Sequence, residues 1–203
     1  MDQPEEVLRW LLKNRSETQQ IEVKRSIDLI QEQPDQIEVV SVGLANSVVK
    51  DNVWIIFGID DKSFDILGMV DLEGKRELTE DIIKKREQRF SQIASRIRSR
   101  PLEYEWLCFQ HADKKLVAIR IKSRNAREFF QTSNGVAFHR IGTHRYIADP
   151  LQIRKWLEES PEEIEREPRK ERIENAFFLY TFFLVEGTSV FTVWILGQQA
   201  LYG

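Results

Sequence analysis

The chain has 203 residues with 41% hydrophobic and 31% charged side chains, enough apolar material for one ordinary domain with appendages. Its formal net charge of -3 excludes a general polycation that coats nucleic acid by summed phosphate neutralisation, so any basic surface has to be local. The single cysteine, Cys108, cannot close an internal disulfide, and no Cys/His cluster has zinc spacing; the first fifteen residues lack a basic-then-apolar leader pattern. These features set the expectation of a cytoplasmic protein.

In chain order, Asp2 and Pro4 open a helix with Glu5 and Glu6 in its first turn, and Val7, Leu8, Leu11 and Leu12 form its apolar stripe to near Asn14. Residues 21–24 predict a strand with Ile21 and Val23 on one face and Glu22 and Lys24 on the other. Pro34 and Asp35 start a second helix carrying Ile37, Val40, Leu44 and Val48. Residues 53–59 form a continuous β-branched and aromatic run, the pattern of a central strand buried on both faces. The Asp60-Asp61-Lys62-Ser63 turn follows, and Ile66-Leu67 predicts the partner strand of a hairpin.

Residues 79–98 predict a helix with Ile82, Ile83, Phe90, Ile93 and Ile97 inward. Strands are expected over 104–109 and 116–121, the second with Val117, Ile119 and Ile121 on an apolar face alternating with Ala118, Arg120 and Lys122 on a basic one. A short strand over 136–141 ends at Gly142, and Asp149-Pro150 caps a helix through Leu157. Residues 160–174 are almost all charged, either a solvated helix or a linker.

Residues 176–196 carry seven Phe, Tyr or Trp and one charge, Glu186, behind the basic cluster Arg169, Lys170 and Arg172. That length and charge asymmetry suit an anchor in the inner face of a membrane. Against it stand the cost of Glu186 in a bilayer, about 2.5–3.5 kcal/mol, and a turn-like Glu186-Gly187-Thr188-Ser189 that suits a buried hairpin instead.

Glu17 and Glu22 flank the start of the first strand, and Asp60 and Asp61 follow the central one. Sites in open α/β sheets gather outside the carboxyl ends of strands. Carboxylates converging there would repel one another unless a hard cation such as Mg²⁺ or Mn²⁺ filled the cluster. Between Lys84 and Arg127 there are thirteen Lys/Arg against Glu87, Glu103, Glu105 and Asp113. Arg120, Lys122, Arg124 and Arg127 fall in this stretch, and Arg140, Thr143, His144 and Arg145 surround Gly142. Such a stripe is the footprint of phosphate binding.

Four segments, in order, resemble the AlbA-like domain of the Schlafen family: Glu17-Thr-Gln-Gln-Ile-Glu22-Val-Lys24; Gly43-Leu-Ala45-Asn46-Ser47; Ile55-Ile-Phe-Gly58-Ile-Asp60-Asp61-Lys62-Ser63 with Ile66-Leu-Gly68; and Phe138-His-Arg140-Ile-Gly142-Thr143. The family's Gly-Gly after the second segment is replaced by Val48-Val49, Val23 stands for a Phe, and its zinc motif has no counterpart.

The resemblance implies a single α+β (α/β) lobe over residues 16–158, a mixed sheet packed by helices. A helix over 1–15 precedes it; a charged segment over 159–175 and an apolar tail over 176–203 follow. It further implies nucleic-acid handling, with Glu17, Glu22 and Asp61 as catalytic acids of a metal-dependent endoribonuclease on structured RNA such as tRNA. Asp60 joins them as a further Mg²⁺ or Mn²⁺ ligand. Lys24, Arg120, Lys122, Arg124, Arg140, Thr143 and Arg145 would hold the RNA or DNA. Because family cores pair two lobes, a homodimer is expected. The rival reading is a non-catalytic DNA/RNA-binding or nucleotide-sensing module, tethered or not.

Overall fold

The computed structural model describes residues 1–159. The charged segment and the apolar tail, and with them the choice between membrane anchor and hairpin, lie outside the described residues; among those described, no helix is long and apolar enough to cross a membrane.

Helix α1 (Pro4–Asn14) begins where a proline needs no N–H partner and ends at Arg15, whose left-handed conformation lets its N–H reach the Leu11 carbonyl at 2.7 Å. Strand β1 (Ile21–Lys24) follows. A short helix α2 (Leu29–Glu32) and α3 (Pro34–Ser47) then carry the chain to β2 (Asn52–Phe57), a crossover of the kind parallel pairing requires. Helix α4 (Glu80–Arg96) leads into the hairpin of β3 (Tyr104–His111) and β4 (Lys114–Lys122). The sheet order is β1-β2-β4-β3, with β1 and β2 parallel and the other pairs antiparallel. A second, two-stranded sheet joins β5 (Phe138–Ile141) and β6 (His144–Ile147) before α5 (Pro150–Glu158), which Asp149 caps through the Gln152 amide at 2.8 Å.

Strand β2 is the seam of two cores. Val53, Ile55 and Phe57 face the cluster built with α3 and α4, while Trp54 and Ile56 face Val7, Leu8 and Leu11 of α1. A run buried on both faces therefore has no polar alternation, as its sequence implies.

Three expectations are corrected. Ile66-Leu67 does not extend into a partner strand of β2: it folds back only on the residues just past it, through the Ile59–Ile66 bridge and the bond from the Leu67 amide to the Gly58 carbonyl at 2.8 Å, while both edges of β2 itself are taken by β1 and β4. The second face of β4 is basic only toward its end: Arg120 and Lys122 lie there as expected, but Ala118, together with Leu116, is buried in the cluster that contains α1. The segment after Gly142 forms a strand, β6, whose four residues are all exposed and so carry no periodic signal.

Candidate phosphate-binding cleft and its buried ion-pair cluster

Strand β1 is the edge of the four-stranded sheet, and its outer side has no strand partner. Glu17, in the turn before it, covers that side: one carboxylate oxygen accepts from the Val23 amide at 2.8 Å. The turn is fastened to the end of α3 by the Ser47 hydroxyl, which donates to the Gln19 carbonyl at 2.9 Å. Glu22 points from the same strand toward β5. There Arg140, with its side chain 1% exposed, donates to Glu22 and, at 3.0 Å, to Glu17. Its Nε donates to the Gly142 carbonyl at 2.9 Å, which fixes the guanidinium plane. Lys24 binds the remaining Glu22 oxygen.

Two carboxylates and two cations thus form one compensated, largely buried network that clamps the β5–β6 hairpin to the sheet edge. Glu17 is still held above its ordinary range, first by burial and second by the Glu22 charge, against the Val23 amide, Arg140 and Lys24.

This arrangement bears directly on the expected metal. All four oxygens of Glu17 and Glu22 already accept from protein donors. Among the described residues no group of three or more His, Cys, Asp or Glu side chains is placed to hold a metal ion. The residues as placed do not fit Mg²⁺ or Mn²⁺, since a cation would have to displace the Arg140 guanidinium. Asp60 serves its own turn instead. It accepts from the amides of Ser63 at 2.9 Å and Lys62 at 3.0 Å, which hold its carboxyl below the usual range.

Asp61 is exposed and lines a cleft of about 210 Å³ outside the carboxyl ends of β1 and β2. Lys24, Arg25 and Arg145 line it too, with Gln33 and Gln36 at the start of α3. Three cations face one carboxylate there. Sequence reasoning missed Arg25, Gln33 and Gln36. Arg25 could have been found from its place directly after Lys24 at a strand's carboxyl end; the glutamines carry no such signal.

The other predicted phosphate contacts do not join this cleft. Lys122 pairs in register with Asn52, at the far end of β2 from Lys24, which pairs with Phe57. Arg120 is held by Glu105 at 2.5 Å and the Asp2 carbonyl at 2.9 Å, and Lys122 by Glu103 at 3.1 Å. Arg124 is a correction: it is buried, paired with Glu159 at 2.6 and 2.9 Å, and lies 5.3 Å from the centre of the Trp156 ring, so it locks α5 rather than meeting a ligand. Thr143 is exposed at the hairpin tip beside His144.

Asn46 is a positioning residue. Its amide donates to the carbonyls of Phe130 and Phe138 at 2.9 and 2.8 Å and accepts from the Phe130 amide at 2.8 Å, tying β5 to the end of α3.

Among solved structures the chain is similar to the DIP2311 protein from Corynebacterium diphtheriae, with 14% identity over 64% of this chain and 25% of that one and a TM-score of 0.42. It thus spans about a quarter of that protein. It is also similar to the N-terminal domain of a Nitrosomonas europaea protein named as related to the ATP-dependent DNA helicase RecG, with 16% identity over 74% of this chain and 94% of that one and a TM-score of 0.45. None of the curated proteins matches the sequence. Residues 17–149, which hold the carboxylate turn, the cleft and the Arg140 hairpin, match the family described as Schlafen, AlbA_2; with more than half of the chain covered, the protein belongs to that family.

Proposed function

We propose that this domain handles nucleic acid by holding backbone phosphates in the cleft at the carboxyl ends of β1 and β2. The observation that carries the reading is the convergence of Arg25 and Arg145, with Lys24 of the compensated network beside them, on a space that contains one carboxylate, Asp61. On a chain of net charge -3 such a local excess marks where an anion is attracted. Guanidinium forks and an ammonium are the groups that meet phosphate oxygens. The Glu17–Arg140–Glu22 network shapes one wall by fixing the hairpin that presents Arg145. Since one lobe offers one cleft, two copies would supply the two sides of a clamp.

Fluorescence anisotropy with labelled RNA and DNA tests this reading. Arg25→Ala and Arg145→Ala each weaken binding about five- to tenfold, in line with the loss of one phosphate contact at moderate salt. Unchanged affinity in both variants defeats the proposal.

A second reading, a metal-dependent endoribonuclease on structured RNA such as tRNA, is favoured by one observation: the Glu17 and Glu22 carboxylates meet on a single guanidinium from two different segments. It requires Arg140 to withdraw. Incubating labelled tRNA with the protein in Mn²⁺ or in chelator separates the two. Cleavage that needs Mn²⁺ and is lost in Glu22→Ala and Asp61→Ala installs the enzyme; binding without cleavage leaves the binding module.

A further inference from the structure

Cross-strand partners in an antiparallel pair share a face. In the β5–β6 hairpin His139 pairs with Tyr146 and Ile141 with His144, while Phe138 pairs with Ile147 and Arg140 with Arg145. The second set includes the inward residues: Phe138 packs on the main core, Arg140 is buried in the carboxylate network, and Arg145 lines the cleft. In the first set His139 is half-buried against Trp156 and the other three look outward; Ile147 of the second set, 68% exposed, also faces solvent. Tyr146 is 49% and Ile141 61% exposed, and His144 is exposed beside them.

Behind Tyr146 the rings continue inward as a ladder. His139 lies 5.7 Å from Tyr146 and 6.1 Å from Trp156, and Trp156 stacks on Phe129 at 5.9 Å. The ladder is anchored in the fold and open at one end, where Tyr146 presents its ring to solvent.

We infer that Tyr146 is a stacking platform for an unpaired base whose backbone phosphate lies in the neighbouring cleft, so that the domain selects single-stranded over duplex nucleic acid. This rests on the cleft reading above and adds the class of substrate. Arg145 and Tyr146 are consecutive, their Cα atoms about 3.8 Å apart, and they point to opposite faces of the ribbon. A single strand crossing the free edge of β6 therefore meets a cation on one side and a ring on the other. A duplex keeps its base faces inside its own stack and has none to offer.

The test uses the full chain and three labelled probes in anisotropy: an oligouridylate, an RNA duplex of equal length, and an abasic strand with the same phosphates. The oligouridylate binds about tenfold more tightly than the other two, the scale of one base–aromatic stack. Tyr146→Ala removes that advantage without altering duplex affinity, and Tyr146→Trp retains it, which separates stacking from a fold defect.

Equal affinity for all three probes, or a Tyr146→Ala protein that binds like wild type, overturns the inference. If Arg145→Ala weakens binding while Tyr146→Ala does not, the cleft reading stands and the stacking reading falls. If wild type binds none of the probes, both fall. If Tyr146→Ala changes the sedimentation coefficient and leaves binding alone, the face belongs to a second copy.

Discussion

Arg140 is the residue on which the site's geometry turns. Its guanidinium compensates two carboxylates of which one, Glu22, is nearly as buried as itself. Arg140→Ala leaves those charges facing each other with little water, and such a break costs about 3–5 kcal/mol. The deficit is pH-dependent, with a definite sign. The folded-state pKa of Glu17 already lies above the ordinary glutamate value of 4.5. A carboxyl raised in this way contributes its stability below the unfolded value and loses it as pH rises through the folded value. Arg140 pulls Glu17 downward, so removing it widens that window. Urea unfolding across pH therefore finds the variant far below wild type at pH 7 and converging on it toward pH 4.5. A deficit that does not change with pH rules out carboxylate repulsion as its source.

At the level of elements, the β5–β6 hairpin is too short to stand alone. It is held by two attachments, Arg140 to the β1 edge and Asn46 at the end of α3, while the bond from the Ala148 amide to the Ala137 carbonyl at 2.9 Å extends its own ladder by one rung. The ribbon lies against α3 one turn earlier: a Cβ at Gly43 would meet the Arg145 side chain at 3.7 Å and Phe138 at 3.9 Å, ordinary contact distances. Asn46→Ala strands the Phe130 amide and two carbonyls in a buried setting, a loss of about 3 kcal/mol. Hydrogen exchange checks it locally: amides of Phe130 and of residues 138–147 speed up, while those of β2 and β4 keep most of their protection. Uniform acceleration would mean that Asn46 serves the whole core instead.

Across the whole molecule, the basic residues divide into those spent on the fold and those turned to the cleft. Arg120, Lys122 and Arg124 are paired to Glu105, Glu103 and Glu159. Arg25 and Arg145 remain around Asp61, and Lys24 lines the same cleft while paired with Glu22. With about two phosphates met by the two uncommitted guanidinium groups, the slope of log K against log salt for a single strand is about −1.4. Arg124→Ala lowers the melting temperature and leaves that slope unchanged. A slope several times steeper would mean that the far end of the sheet also grips the strand.

Much of the architecture was readable from residue order alone. Pro4 and Pro34 mark helix starts, Asp149 caps the last helix, and residues 53–59 read as a strand covered on both sides, found as Asn52–Phe57, because these are effects of near neighbours and of burial pattern. The family segments likewise named Glu17, Glu22, Asp61 and Arg140 together. What those residues do to one another depended on contacts between segments far apart in the chain. Only the fold brings Arg140 between Glu17 and Glu22, where it occupies the oxygens a metal would need. Only the fold sends Arg120 and Lys122 to the opposite end of the sheet from Lys24, and buries Arg124 under α5. Charge is written in the chain, but whether a charge is spent on a partner or left for a ligand is decided by tertiary packing, since a paired ion in a dry setting and a free one at a cleft differ only in what surrounds them.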